Sequence, residues 1–300
     1  MIISACSVAL TGCSNKAAQK NVEAMGNATP AASPQANPEG DVAKVSDQIL
    51  DMGAAGNKVG VLTAGKLSLD GKEVTVAESC KSLSHNADFF VLPCGDHVEI
   101  VHADGAVEKK DQAADAAAMT ASGTLITAKA GSKDVTVAGG KTFKVDDTTD
   151  KMIADGDNVV RINRTTTTIQ DIDYHKNRQG GTLRVGKGVG DISGRDGVVL
   201  AGDTIGNQLA VYTADDVIRL HQTTPVAESP WAVAWDSKAK LAWAASTATN
   251  TAQGFEIAGG VPQQKRSVRT IANVRHMGFL NDGTMVLSSE HEVQKIKPAP

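Results

Sequence analysis

Val274-Arg-His-Met-Gly-Phe-Leu-Asn-Asp-Gly-Thr-Met-Val-Leu-Ser-Ser289 sets the reading of this chain. Apolar residues lead into Asn281-Asp282-Gly283, a turn whose residue types tolerate the left-handed backbone of a tight connection. Met285-Val-Leu-Ser288 leads out of it as a strand, so the stretch reads as half of a four-stranded blade. The phrase recurs upstream. Turn residues Ala87-Asp88 precede Phe89-Phe-Val-Leu92, Ser122-Gly123 precede Thr124-Leu-Ile-Thr127, and Asp155-Gly156 precede Val159-Val-Arg-Ile162. Asp196-Gly197 before Val198-Val-Leu200 and Lys238-Ala-Lys240 before Leu241-Ala-Trp-Ala244 continue the series. Marks at 88, 123, 156, 197, 239 and 283 are 35, 33, 41, 42 and 44 residues apart, which brackets the roughly 40 residues of a four-stranded propeller blade. An even period without helical pattern excludes a βαβ fold, and the hairpins of a β-sandwich need not repeat at this interval.

Six repeats are visible in this way. Val59-Gly-Val-Leu-Thr63, Lys66-Leu-Ser-Leu69 and Glu73-Val-Thr-Val76, with Asp70-Gly71 as a hairpin turn, supply strands for another. The expected fold is an all-β propeller of seven blades, with six as the alternative. After His291-Glu-Val-Gln-Lys-Ile296 the sequence ends before a full blade is complete, so an N-terminal strand is expected to finish the last sheet and remove its open edge. Val45 to Met52 is read as a short helix, with Ser46-Asp47-Gln48 leading into Ile49-Leu50.

Hydrophobic residues make up 41% of the 300 residues, but aromatics only 3%, so the core has to be built from Val, Ala, Ile and Leu. Small and β-branched residues suit closely stacked sheets. A net charge of -4 with no basic run argues against a nucleic-acid partner, which needs a basic surface to displace counterions.

The first thirteen residues, Met1 to Cys13, are uncharged and mostly apolar, and too short to span a bilayer, which takes roughly 20 residues. They fit the apolar core of a secretory signal. Leu10-Thr-Gly-Cys13 resembles the bacterial lipobox, which implies lipidation of Cys13 and cleavage before it. No basic n-region precedes the apolar run, and the reading frame is expected to begin several codons upstream. Residues 14–45 form an Ala, Asn and Pro rich segment centred on Thr29 to Pro38, read as a flexible tether. The propeller domain is then expected over 46–300.

Trp231-Ala-Val-Ala-Trp235-Asp-Ser-Lys238, Leu241-Ala-Trp-Ala-Ala245 and Gly278-Phe-Leu-Asn-Asp-Gly283 resemble blades of extracytoplasmic propellers of the YVTN or quinoprotein-like kind. With the lipobox and tether, the chain resembles the LppL-type prolipoproteins of actinobacteria. That resemblance implies a propeller outside the cytoplasmic membrane. It implies no particular activity.

With Cys6 and Cys13 assigned to the export segment, Cys80 and Cys94 remain and are expected to pair outside the cytoplasm. The bridge closes a 15-residue loop, worth ~3 kcal/mol in the chain-entropy model. Asp96, His97 and Glu99 place a possible ligand pair on one strand face, with a solvated turn and strand as the plainer reading. Asn86, Asp88, Asn158, Asp191 and Asn281 are the acidic and amide side chains available to a channel metal, though turns favour the same residues. Gly139-Gly-Lys-Thr142 lacks the first glycine of a P-loop and is read as a hairpin turn, and Gly186-Lys-Gly-Val-Gly190 as a loop entering a blade. Trp231, Trp235 and Trp243 are read as packing between blades, with a sugar platform as the alternative. Arg161, Arg164, Arg178, Arg184 and Arg195 are read as a solvated basic face.

No complete catalytic constellation, resident metal or cofactor is expected. The preferred reading is a monomeric, membrane-anchored envelope lipoprotein whose propeller is a binding platform for a protein or cell-wall ligand. The alternative is an extracytoplasmic, lactonase-like hydrolase or lyase with a divalent metal in the channel.

Overall fold

Runs of four to eight β-formers punctuated by Gly, Asn and Asp turns leave the backbone little choice but antiparallel meanders. The computed structural model describes residues 25–298. Cys13 and the first part of the expected tether lie outside the described residues.

Seven four-stranded antiparallel sheets form. The first strand, β1 (Asp41–Lys44), stands apart from the meanders that follow. Blade 1 is β2 to β5 (Asp51–Ala55, Lys58–Thr63, Lys66–Leu69, Lys72–Thr75), and blade 2 is β6 to β9 (Ser84–His85, Phe89–Pro93, Val98–His102, Val107–Lys110). Blade 3 is β10 to β13 (Ala116–Met119, Leu125–Ala128, Asp134–Val137, Lys141–Lys144), and blade 4 is β14 to β17 (Lys151–Asp155, Asn158–Asn163, Thr168–Asp173, Arg178–Arg184). Blade 5 is β18 to β21 (Val189–Arg195, Val198–Asp203, Gln208–Ala214, Ile218–Pro225), and blade 6 is β22 to β25 (Pro230–Asp236, Leu241–Ser246, Thr251–Glu256, Gln263–Arg269). Blade 7 takes β26 to β28 (His276–Phe279, Met285–Ser288, Glu292–Ile296) and is completed by β1 on its outer edge. The first strand of each meander touches those of its neighbours, so these seven strands enclose a central channel.

The ring therefore has seven blades, and each turn mark read from the sequence joins the innermost strand of a blade to the next one out. The missing mark of blade 1 is Gly56-Asn57. Asp70-Gly71 joins the two outer strands of that blade, with φ of 48° and 90°, as a two-residue hairpin requires. Gly139-Gly140 makes the same connection in blade 3, and Gly186 to Gly188 leads into β18, which already contains Gly190. The core lies between blades. Ile153, Val160 and Ile162 of blade 4 meet Val189, Ile192 and Tyr212 of blade 5. Trp243 of blade 6 packs against Phe279 of blade 7 with ring centroids 5.9 Å apart, and Trp235 is buried between blades 5 and 6.

Two expectations about the N-terminal region change. Residues 45–50 form no helix. The Ile49 amide donates to the Glu290 carbonyl and the Leu50 amide to the Leu62 carbonyl, which fixes an extended backbone leading into β2. The domain also begins before residue 46, because β1 pairs with β28 in the register Asp41 to Lys295 and Lys44 to Glu292. Residues 25–40, expected to be tether, lie along one face of the ring. The Asn27 amide donates to the Arg164 carbonyl, the Ala31 amide to Ser229 Oγ at 2.8 Å, and the Ser33 amide to Asn273 Oδ1 at 3.0 Å. Asn250 Nδ2 donates to the Pro34 carbonyl at 2.9 Å, and Arg269 Nε to the Asn37 carbonyl at 3.0 Å. The segment has little apolar surface, but polar side chains of blades 5 to 7 satisfy its backbone. Gly40, at φ 69°, places its Cα where a Cβ would meet the Lys295 carbonyl at 2.3 Å.

Gln294 of β28 ties these parts together. Fully buried, its Oε1 accepts from the Ile271 amide at 2.9 Å, and its Nε2 donates to the carbonyls of Glu39 and Arg269 at 2.6 and 2.9 Å. Gln294→Leu leaves the Ile271 amide and the Glu39 carbonyl unsatisfied, while the Arg269 carbonyl keeps the Glu39 amide, and a net cost of about 2–4 kcal/mol is expected in denaturant unfolding. A loss below about 0.5 kcal/mol, the range of an ordinary surface change, contradicts this role.

Candidate functional site: the mouth of the central channel

Each inner strand begins at the face along which residues 25–40 run, and three cavities follow one another down the axis. The mouth on this face has a volume of about 340 Å³ and is lined by Asp51, Lys151, Asp191, Trp231, Arg275 and His276, among others. A constriction of about 40 Å³ shares Asp51, Lys151, Asp191 and His276 with it and adds His85. A second mouth of about 510 Å³ opens on the opposite face, where Asp88, Asp155, Asn158, Arg195 and Asp196 line it.

The floor of the first mouth is an ionic cluster. His276 Nδ1 lies 3.0 Å from Asp51 Oδ1, and Asp51 also accepts from the amides of Met52 at 2.7 Å and Leu83 at 2.9 Å. Lys151 Nζ lies 2.6 Å from Asp191 Oδ1. Burial by itself raises the Asp51 carboxyl. The charge and hydrogen bond of His276, the charge of Lys151 and the Leu83 amide outweigh it and bring the group down to about 2. His276 Nε2 takes no hydrogen-bond partner among the described residues, and His276 lines the cavity.

His85 sits beneath this cluster because β2 offers a glycine opposite it. A Cβ on Gly53 would lie 2.5 Å from His85 Cδ2. Desolvation, and then the charge of Lys151, hold the His85 ring down at about 4, so it is neutral at physiological pH. The second mouth carries a contrary shift. Burial raises the Asp155 carboxyl to about 6 although the Gly197 amide donates to it.

Arg195 bridges the ring at that second mouth. Its Nη1 donates to the Phe279 carbonyl of blade 7 at 2.8 Å and its Nη2 to Asn281 Oδ1. Asn281 thus holds Arg195, while Asp282 Oδ1 accepts from the Thr284 amide within the turn. Asn86 caps its own turn through the amides of Asp88 and Phe89. Among the residues named for a channel metal, Asp88 and Asn158 therefore lie at the second mouth and Asp191 at the first, paired to Lys151.

Cys80 and Cys94 form a disulfide between the loop entering blade 2 and the end of β7. Of the Asp96, His97 and Glu99 trio, Asp96 is exposed as the solvated-turn reading expected, but His97 and Glu99 are buried. His97 Nδ1 lies 2.5 Å from Asp96 Oδ1, and Nε2 3.2 Å from Glu99 Oε1. The Asp96 hydrogen bond raises the His97 ring despite its desolvation. Glu99 accepts from the Ala77 amide at 3.2 Å, so this trio secures the disulfide loop, away from the channel. The arginines divide as well. Arg161 is buried, with Nε on Gln170 Oε1 at 2.7 Å and Nη1 on the carbonyls of Asp147 and Thr148, so it is no part of a solvated face.

Asp51, His85, Lys151 and His276 did not stand out in the sequence. Three of them share a positional signal with Asp191: Asp51, Lys151, Asp191 and His276 each lie five to seven residues before the turn glycine of their blade, at 56, 156, 197 and 283, whereas the turn after His85 has no glycine. Residues so placed lie at or near the start of an inner strand and line the channel.

No family model matches the chain, and no curated protein matches its sequence. Solved structures match it in fold. The mitotic checkpoint complex contains a chain similar to this one at TM-score 0.69 and 12% identity, over 91% of this chain and 97% of that one. The chain is a seven-bladed β-propeller. It is likewise similar to the β-propeller domain of Cps50 (Swd1) from Myceliophteria thermophila, at TM-score 0.67 and 9% identity over 87% and 100% of the two chains. A streptogramin B lyase is similar at TM-score 0.64 and 11% identity over 85% and 96%. At these identities the likeness is one of fold, which hosts many functions.

Two pH windows test the channel's electrostatics. Asp51, lowered from 3.8 to about 2, contributes stability above pH ~4 that is lost as pH falls toward 2. About 2 kcal/mol of that acid dependence should vanish in Asp51→Asn, together with stability at neutral pH. His85 binds its proton at 6.5 when unfolded and only near 4 when folded, so stability falls as pH drops between those values. His85→Gln should flatten that segment alone; unchanged slopes in both variants contradict the assignment.

Proposed function

We propose that this propeller is a non-enzymatic binding platform of the cell envelope, held to the membrane by lipid on Cys13, and that the mouth carrying the ionic cluster seats its ligand. One observation carries the reading. The channel closes to a 40 Å³ constriction at Asp51, Lys151, Asp191 and His276, so a ligand entering the 340 Å³ mouth rests on fixed charges. Fixed donors and acceptors at the end of a concave site orient a small ligand or a protruding chain end. Trp231 adds an apolar wall. A streptogramin B lyase and chains of larger assemblies share the architecture, and their fold is compatible with either a binding or a catalytic use.

A second reading is favoured by the His276–Asp51 pair. A carboxylate on Nδ1 orients the ring and leaves Nε2 facing the cavity, as general-base chemistry in a hydrolase or lyase requires. The proposed channel metal has less support. Asp51 and Asp191 are committed to His276 and Lys151, and the donor group that lies closest together among the described residues, Cys80, Cys94 and Glu99, has its two sulfurs bonded to each other.

Photo-crosslinking in the native envelope separates the possibilities. A crosslinker at Ser82, on the first mouth, should yield a defined adduct that one at Asp88, on the second mouth, does not. Adducts only from Asp88 contradict the seat. Cys13→Ala should release the protein from membranes, and retention contradicts the anchor. Turnover of a captured ligand that His276→Ala abolishes without loss of binding selects the lyase or hydrolase reading.

A further inference from the structure

The proposed seat has an unexplained cation. Seven side-chain polar atoms among the described residues are buried without a hydrogen-bond partner, and the only one belonging to a permanently charged group is Arg275 Nη1. The rest of the fold treats such groups differently: the buried Arg161 spreads its guanidinium over Gln170 and two carbonyls, and Arg195 donates to Phe279 and Asn281. Arg275 has no ion pair within 4 Å to any described carboxylate and no side-chain hydrogen bond. Its backbone is nonetheless fixed, because its amide donates to the Ser288 carbonyl at 2.8 Å. A guanidinium cannot discharge itself by losing a proton at physiological pH, and although Arg275 is only half-buried, leaving its Nη1 desolvated and unpaired is costly.

Its position adds a second observation. Arg275 and Glu290 line the channel mouth and also a neighbouring cavity of about 580 Å³, walled on its other side by Pro30 and Ala32 of the N-terminal segment. The two cavities meet at this guanidinium. Resting on the reading of the mouth as a ligand seat, we infer that Arg275 anchors a singly charged oxyanion, a carboxylate or a phosphodiester, carried by an elongated ligand that runs from the channel mouth into the groove beneath residues 30–32. Arginine's planar fork matches both groups bidentately. Glu290, whose side chain has no partner among the described residues, stands beside the same passage and disfavours a ligand with more than one negative charge. The ligand is therefore a chain that is neutral or zwitterionic apart from one oxyanion.

Isothermal titration of the full chain with acetyl-trialanine, its C-terminal amide and methyl phenyl phosphate, a singly charged phosphodiester, tests this. The acid, the phosphate or both should bind, and the amide at least tenfold more weakly. Arg275→Gln should lose at least tenfold for whichever anion binds, while Glu290→Gln should gain severalfold. Without ligand, Arg275→Gln should unfold at the same temperature as the unmodified chain or higher, because it removes a partly buried charge that has no partner among the described residues. A lower unfolding temperature makes Arg275 a structural residue and overturns the inference. So does equal binding of acid and amide, or binding of no probe. If probes bind with a dependence on Lys151 or His276 but none on Arg275, the anchor fails and the seat stands. If the seat itself is wrong, the Ser82 crosslink fails whatever Arg275 does.

Discussion

Every blade depends on the joining of β1 to β28. A propeller sheet stack is stable only as a ring, since each sheet buries its faces against two neighbours and an open ring leaves two faces and an edge in water. Here the joint is made by four residues, Asp41 to Lys44, all exposed, so apolar burial contributes little to it. Its strength comes from the backbone ladder and from Gln294. The latter satisfies groups from the N-terminal segment, from β25 and from the loop entering β26 at once. Closing the ring also fixes His276 beside Asp51, because these residues open the inner strands of the last and first blades. The candidate site is thus assembled by the same contact that completes the fold.

A core with few aromatic rings explains how the channel stays narrow. The inner strands carry Gly53, Ala116 to Ala118, Gly194 and Gly278, which let sheets approach closely. Where a large ring does occur, a glycine faces it: a Cβ on Gly254 would lie 2.5 Å from the Trp243 indole. Close approach of the inner strands leaves room at the axis for paired polar groups and little else. Asp51 with His276 and Lys151 with Asp191 therefore meet as neighbours from adjacent blades and compensate one another's desolvation.

The fold was legible in the sequence because turn chemistry is local. Asp196-Gly197 and Asn281-Asp282-Gly283 announce their hairpins without reference to anything distant, and their spacing counts the blades. The disulfide partners were legible because only two cysteines remained once Cys6 and Cys13 were set aside. What was not legible depends on contacts between residues far apart in the chain. Residues 25–40 have the composition of a linker, and their order comes from Ser229, Asn250, Arg269 and Asn273, some 200 residues away. Asp51, Lys151 and His276 form a cluster only when the ring closes, and in one dimension each is an isolated charge opening a strand. His97 and Glu99 were read on one strand face correctly, but which way that face pointed was decided by the loop of Cys80 folding over it.

Hydrogen exchange of the backbone amides tests most directly whether residues 25–45 belong to the domain. The amides of Asn27, Ala31, Ser33, Glu39 and Val45 all donate to groups of the ring. In the intact chain they should be protected well beyond unstructured rates, those of Glu39 and Val45 approaching the level of the blade strands they join. Exchange of all five at the rate of an unstructured peptide, with the blade amides still protected, would contradict an account in which this segment closes the ring and walls its ligand groove.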